Sequence, residues 1–292
     1  MSDFVIRVFD VEHGACAIMM SPTGERIAMI DSGHNDSTGW RPSEFIRYTL
    51  QRTELDHLFI TNADQDHLSD LEGLWMHGVS VAALHRNGSP SADILRLIKE
   101  TQGDLTNDIE RFLQIHNSYN APIPIPFNAG MAGVTCSVFC NSYPAFNDTN
   151  NLSLAMFIKY ASFKMLFPGD LEKTGWQALL RNPAFVQELA GTNILLASHH
   201  GRENGFCREI FNYFKPQAVV ISDKPIIHST QEMVPDYRNV IAANGVIVAN
   251  QSRRRHVLTT RRDGDIVFKI SNTGQFTIET ASVPYDNIRK VA

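Results

Sequence analysis

The sequence predicts an α/β fold in which two β-sheets pack together with helices on the outside. Three observations carry that expectation. The chain opens as a β-meander of short apolar runs joined by tight turns. After residue 134 a second set of strands begins, interleaved with helical spacing. Polar clusters recur where apolar runs stop, at residues 62–67, 169–170, 198–201 and 222–228, as expected of loops gathered on one edge of a sheet core.

The elements follow in order. "FVIRVFDV", "ACAIMMS" and "RIAMID" read as strands over 4–11, 15–21 and 26–31, with "SPTGE" turning between the last two. "RPSEFIRYTLQR" (41–52) has helical spacing and a start at Pro42-Ser43-Glu44. "DHLFIT" returns to strand, "SDLEGLWMHG" to helix and "VAALHRN" to strand, and "SADILRLIKET" and "NDIERFLQIH" are capped helices. "VTCSVFCNS", "LSLAMFIKYA" and "FKMLFPGD" are strands, the last two joined by a turn at Ala161-Ser162. A helix at "LEKTGWQALLRN" precedes the strand "NILLASHHG", which ends in histidines. A helix over 206–214, the strand "AVVISD", a helix near 235–243 and the strands "VIVAN", "HVLTT", "DIVFKI" and "QFTIET" complete the chain. With no linker, low-complexity tract or fixed-period repeat, residues 1–292 read as a single domain.

Composition narrows the class. A hydrophobic share of 43% and a charged share of 20% suit a soluble globular chain with a substantial core. The net charge of −5 does not mark a general nucleic-acid binder, although Arg253, Arg254, Arg255, Arg261 and Arg262 form a local basic cluster able to track a phosphate backbone. The same run reads equally as a charged exposed hairpin or a protein contact. The cysteines Cys16, Cys136, Cys140 and Cys207 form no CxxC pair, so buried thiols in a reducing compartment are expected. No early apolar run resembles a signal peptide and no stretch spans a bilayer, so the expected location is the cytoplasm, with no membrane partner.

The stretch "LFITNADQDHLSDLEGL" (58–74) crowds carboxylates and an imidazole at the end of an apolar run. Taken alone, it reads as a solvated turn with Asp66 or Ser69 as a helix N-cap. If Asp64, Asp66 and Asp170 converge, however, their repulsion demands a counter-charge. His67 with His199 or His200 would supply neutral imidazole ligands, and a divalent cation would relieve the repulsion. Such a nitrogen and oxygen set suits Zn²⁺, Mn²⁺ or Fe²⁺, and an excess of oxygen tilts toward Mn²⁺ or Mg²⁺. A cation held there activates water and polarises a phosphoryl or carbonyl oxygen. In an extended strand end the side chains of His199 and His200 diverge, so one is the ligand, with His199 preferred.

These motifs carry a resemblance. "TNADQDHLSDLEGL" resembles the H-x-H-x-D-H motif of the metallo-β-lactamase superfamily, with Asn62 and Asp64 standing where two histidines would be and Asp66 and His67 matching the second half. "FDVEHGACAIMMSPTGERIAMIDSG" resembles the opening hairpin with its Asp-x-Gly turn at Asp31-Ser32-Gly33. "NNLSLAMFIKYASFKMLFPGDLE", "LLASHHGR", "VVISDKPIIHSTQ" and "HVLTTRRDGDIVF" are similar to later segments of the ComEC-like branch, which includes stand-alone cytoplasmic members. The resemblance runs over about residues 4–270.

It implies an αββα sandwich and a metal-dependent hydrolase, most specifically a phosphodiesterase or nuclease. One metal site survives as Asp66, His67, Asp170 and one of His199 and His200. The other is weak or absent, because Asn62, Asp64 and the Asn151 region lack its histidines. The resemblance further implies one Mn or Zn ion, water oriented by Asp64 or Asp66, charge stabilised by Lys224 or His228, and substrate contacts at Asn62, Asn151, Arg253, Arg254 and Arg255. His228 and Lys224 have structural or solvated readings beside these, and His13 reads as a turn residue. The partners it implies are a nucleic acid or nucleotide substrate and a protein from a neighbouring gene. The rival expectation is a catalytically degenerate member that binds a nucleotide, nucleic acid or protein as a sensor.

Overall fold

The computed structural model describes residues 3–281. Strands β1 (Phe4–Val8), β2 (Ala17–Met20) and β3 (Ile27–Ile30) form the expected antiparallel meander, and β4 (His57–Phe59) and β5 (Leu84–His85) add in parallel beyond β3. The second sheet comprises β6 (Thr135–Cys140), β7 (Leu154–Tyr160), β8 (Phe163–Phe167), β9 (Ile194–Leu196), β10 (Ala218–Ile221) and β11 (Val257–Thr259). The chain then returns to the first sheet with β12 (Ile266–Ile270) and β13 (Phe276–Thr280). The strand orders are β13-β12-β1-β2-β3-β4-β5 and β11-β10-β9-β8-β7-β6.

Burial explains the pairing of the two sheets. β1 alternates buried and half-buried residues, whereas β7, β9 and β10 are apolar on both faces because helices cover one face and the other sheet covers the opposite one. Val8, Met19, Phe59, Met156, Phe167 and Val220 belong to one inter-sheet core. Outside the first sheet lie α1 (Gln65–Leu68), α2 (Leu71–Met76), α3 (Ala92–Glu100) and α4 (Asn107–Ser118). Outside the second lie α5 (Lys173–Leu179), α6 (Pro183–Leu189) and α7 (Val234–Val240). Ser91 and Thr106 cap α3 and α4, their side chains accepting from the backbone N–H groups of Ile94 and Ile109 at 3.3 Å each.

Some expected elements change form. The 41–52 helix continues from Pro42–Glu44 into a π-helical turn, Phe45–Thr49. The expected helix over 206–214 is a 3₁₀ segment, Arg208–Asn212, that buries Ile210 and Phe211 and is soon closed off by Pro216. All four cysteines are free; Cys16 and Cys207 are buried, and Cys136 and Cys140 are half-buried against the inter-sheet core. No helix among the described residues is long and apolar enough to cross a membrane.

Candidate metal centre

β1, β3 and β4 run in one direction, so the segments that follow them leave from one edge of the first sheet. β8, β9 and β10 are mutually parallel and deliver residues 169–170, 198–201 and 222–223 to one edge of the second. Two hydrogen bonds join the edges: the Ser222 hydroxyl donates to the Gly14 carbonyl at 2.9 Å, and the Leu154 N–H to the Thr61 carbonyl at 2.8 Å. The carboxyl ends of parallel strands thus meet in one crevice, the usual position for a site in an α/β sheet.

Within that crevice the loop carrying Asp66 and His67 is held by its backbone. The Asp66 carbonyl accepts from Ala15 N–H at 3.3 Å and the His67 carbonyl from Ser32 N–H at 2.8 Å. Gly14 and Gly33 make this approach possible, since a Cβ on either would stand 2.5 and 2.7 Å, respectively, from the Asp66 carbonyl oxygen. His199 and His200 do not continue an extended strand: both adopt left-handed conformations (φ 50° and 55°), an uncommon and strained state for non-glycine residues. The turn is pinned by the Ser198 hydroxyl, which donates to the Leu171 carbonyl at 2.6 Å, and by His199 N–H, which donates to the Gly169 carbonyl at 3.2 Å.

The result is a compact tetrad. One ligand atom from each of Asp66, His67, Asp170 and His200 lies within 4.8 Å of the others. His200 Nε2 is 2.9 Å from Asp66 Oδ2 and 3.4 Å from Asp170 Oδ2, and His67 Nε2 is 3.1 Å from Asp170 Oδ1. His67 Nδ1–H donates to Asp31 Oδ2 at 2.9 Å, and His200 Nδ1–H to the Ser222 carbonyl at 3.1 Å. Asp31 is fixed in turn by the Thr61 N–H at 2.7 Å and the Thr61 hydroxyl at 2.5 Å. Both imidazoles therefore turn Nε2 toward the carboxylates, and both Nε2 atoms are buried without a well-formed hydrogen bond. A cavity of about 20 Å³ touching His67, Asp170 and His200 has room for one water-sized occupant.

The electrostatics match the geometry. Burial alone would raise the carboxyl pKa values of Asp66 and Asp170, yet His67 and His200 hold both below the usual carboxylate range. Burial would lower the imidazoles, but Asp170 first, with Asp66, pushes His200 up to about 10; Asp170, Asp31 and Asp66 likewise raise His67. The buried carboxylate of Asp170 and the half-buried one of Asp66 are thus compensated by two imidazolium groups, whose Nε2 protons a divalent cation would replace. Two nitrogens and two carboxylates, each imidazole backed by an acceptor on its other nitrogen, fit such an ion.

The remaining sequence-derived candidates divide. His199 is not in the tetrad: its Nδ1 lies 3.6 Å from Glu172 Oε1, because the left-handed turn sends the two imidazoles to different partners. Asp64 precedes α1 but is engaged elsewhere. It pairs with the buried Lys99 ammonium, accepts from the Thr149 hydroxyl at 2.9 and 3.0 Å, and accepts from Asn62 Nδ2 at 3.0 Å. Asn62 is buried beside it with Oδ1 unpartnered. Asn151 is a structural residue: its Oδ1 accepts from Gly175 N–H at 2.9 Å and its Nδ2 donates to Asp148 at 3.0 Å.

Lys224 follows Asp223 directly at the crevice, its N–H bonded to Asp223 Oδ1 at 2.9 Å, while His228 is exposed at the start of a 3₁₀ turn, Ser229–Gln231. The basic cluster is divided: Arg261 Nη1 lies 3.9 Å from Asp223 Oδ2, and Arg254 lies elsewhere. Arg254 shares a groove with Ser162, Asn193 and Gln217, at the amino ends of β8, β9 and β10, whereas the tetrad lies at their carboxyl ends. Arg255 is bidentate to Asp263 at 3.0 and 2.9 Å, and Arg253 is exposed. Sequence reading missed Asp31 as the partner of His67, Lys99 as the partner of Asp64, and Asp223 as the partner of His13. The Asp-x-Gly turn at Asp31 was the one visible signal.

No protein-family model matches the chain. It is 24% identical over 312 aligned positions to ComE operon protein 3 of Bacillus subtilis (strain 168), covering 98% of this chain and 35% of that protein. The chain therefore spans about a third of the length of the curated relative it matches. Among solved structures it is similar to the metallo-β-lactamase fold protein YhfI from Bacillus subtilis, with a TM-score of 0.52 and 12% identity over 91% of this chain and 99% of that one. The fold is the metallo-β-lactamase fold. The similarity to ComE operon protein 3 agrees with the ComEC-like character of the motifs. A diphosphatase of the PhnP family aligns over 91% of this chain and 98% of that one, at a TM-score of 0.40 and 11% identity.

Proposed function

We propose that the chain is a metal-dependent hydrolase acting on phosphodiesters, with a nucleotide or nucleic acid as substrate. The observation that carries this reading is the tetrad of Asp66, His67, Asp170 and His200, with both imidazole Nε2 atoms turned toward the two carboxylates without a well-formed hydrogen bond. These four residues would hold one divalent ion, Mn²⁺ or Zn²⁺, which when bound supplies Lewis acidity and a water activated at neutral pH. Asp31 and Ser222 orient the two imidazoles. Asp66, with the most exposed side chain of the four at 24%, faces the crevice and is the group nearest an incoming substrate and its attacking water. Lys224, next to Asp223 in the chain, is in this reading a further cation for the substrate's anion.

A second ion is not expected, because the Asp64 carboxylate already has Lys99, Thr149 and Asn62 as partners. The single inter-sheet core supports one domain, and we place the protein in the cytoplasm. The phosphodiester preference leans on the resemblance of the motifs to the ComEC-like branch, and a protein partner from a neighbouring gene remains part of the proposal.

The test is hydrolysis of bis(p-nitrophenyl) phosphate by wild type and Asp66→Ala, each loaded with Mn²⁺ or Zn²⁺. Turnover by wild type that is lost in a folded Asp66→Ala supports the reading. Metal binding without turnover on this and nucleic-acid phosphodiesters would instead favour the sensor reading, to which the filled Asp64 corner lends its support.

A further inference from the structure

Beside the tetrad stands a cation that no carboxylate answers. Arg202 follows the left-handed turn of His199 and His200, its N–H donating to the His199 carbonyl at 3.0 Å and its carbonyl accepting from Gly205 N–H at 3.1 Å. Its Nη2 donates to His13 Nε2 at 3.3 Å. Among the described residues no carboxylate lies within ion-pair distance of its guanidinium, and its Nε is buried without an acceptor. Arg26, Arg41, Arg96, Arg111, Arg255 and Arg261 each have an acidic partner, and the half-buried Arg86 donates instead to the carbonyls of His116 and Tyr119 at 2.6 and 3.2 Å. A half-buried cation with no counter-ion is costly unless an anion completes it.

Arg202 is also positioned. Asp223 is fully buried and accepts from Gln231 Nε2 at 2.6 Å and from the Lys224 N–H at 2.9 Å. Its Oδ1 accepts from His13 Nδ1–H at 3.1 Å, which leaves His13 Nε2 as the acceptor for the guanidinium. The His13 ring packs against His200 with centroids 4.4 Å apart, and His13 Nε2 is 3.5 Å from Asp66 Oδ2. Asp223, His13 and Arg202 thus form a chain whose middle member, His13, lies beside two of the four tetrad residues.

We propose that Arg202, seated by the Asp223–His13 pair, is the anion-binding group of this site and takes a non-bridging oxygen of a singly charged phosphodiester. The inference rests on the hydrolase reading above and names what that site selects. The charges support it: the carboxylates of Asp66 and Asp170 neutralise a divalent ion and Asp223 has Arg261 Nη1 3.9 Å away, so Arg202 brings to this wall of the crevice a positive charge that no carboxylate among the described residues pairs. A monoanionic diester complements that charge, whereas a neutral ester or amide does not. A guanidinium donor also matches phosphoryl oxygens geometrically.

The experiment uses the full chain loaded with Mn²⁺ and measures inorganic phosphate binding by calorimetry, alongside metal stoichiometry, for wild type, Arg202→Gln, Arg202→Lys and His13→Asn. The expected result is unchanged metal stoichiometry in all four and phosphate affinity about 10- to 100-fold weaker in Arg202→Gln. Arg202→Lys should recover part of the loss, and His13→Asn should fall between wild type and Arg202→Gln. Phosphate binding by Arg202→Gln equal to wild type overturns the proposal. If Arg202→Gln also loses its metal, His13→Asn decides: intact metal with wild-type phosphate binding overturns the proposal, and intact metal with weakened phosphate binding supports it. Failure of wild type to hydrolyse any phosphodiester would overturn the hydrolase reading instead, which the phosphate titration distinguishes.

Discussion

His67 Nδ1 lies 2.9 Å from Asp31 Oδ2, and this contact decides which nitrogen of His67 faces the tetrad. Because a carboxylate only accepts, it keeps a proton on Nδ1 and leaves Nε2, facing Asp170, as the nitrogen whose proton a bound cation would replace.

The first prediction follows from that contact. Asp31→Asn offers an amide N–H₂ as well as a carbonyl, weakening control of the tautomer and the basicity of the imidazole. Affinity for Mn²⁺ or Zn²⁺ should fall about 10- to 100-fold by calorimetry while the chain stays folded. Unchanged affinity would remove Asp31 from the account of the site.

His199 and His200 should separate cleanly. His200→Ala should abolish tight metal binding, because its Nε2 stands 2.9 and 3.4 Å from the two tetrad carboxylates. His199→Ala should keep the stoichiometry of wild type, because its imidazole faces Glu172. Metal analysis of the two purified variants checks this, and the reverse pattern would refute the assignment.

Lys99 and Asp64 form the third test. Lys99 is buried and its ammonium contacts the Asp64 carboxylate and Gln102 Oε1. Lys99→Met leaves Asp64 without its counter-charge, and unfolding in urea should show a loss of about 2 kcal/mol, set below the full buried-pair cost because Asp64 is partly exposed. Lys99→Met with Asp64→Asn should recover much of that loss.

A pH dependence is expected from the pair of His57 and His85, whose Nδ1 and Nε2 are 3.1 Å apart beneath Phe59 and Phe127. Burial, then the neighbouring His57, lowers the His85 pKa to about 4, and burial lowers that of His57. The unfolded chain therefore binds more protons in this window, and the pair's stabilisation, present above about pH 6.5, is lost as pH falls toward about 4. His85→Gln should reduce that loss by about 2 kcal/mol between pH 7 and pH 4.5, read from denaturation midpoints of the two proteins. Parallel pH profiles would exclude the pair as a source.

Much of the fold was legible because its signals are local. The meander of β1, β2 and β3, the hairpin through Ala161 and the capped helices after Ser91 and Thr106 each show in a few adjacent residues. Three members of the tetrad, Asp66, His67 and Asp170, were legible as polar residues that end apolar runs. The choice between His199 and His200 was not, because it depends on two consecutive left-handed residues, and sequence pattern leads one to expect an extended strand end there. Lys99 stands on the buried side of an ordinary amphipathic helix, so its pairing with Asp64 is decided only when α3 packs over the loop before α1. His13 and Asp223 are 210 residues apart, and no local pattern connects them. The basic cluster was not legible as two parts, because composition reports charge but not which end of a strand it occupies: Arg254 lies at the end away from the tetrad, whereas Arg261 lies 3.9 Å from Asp223.

The most direct test of the account is the number of divalent ions the chain holds. Mn²⁺ and Zn²⁺ would be titrated into metal-stripped wild type and Asp170→Ala, with circular dichroism confirming that both are folded. The account predicts a single tight site in wild type, lost in Asp170→Ala. No tight site in wild type, or a stoichiometry of two, would contradict it.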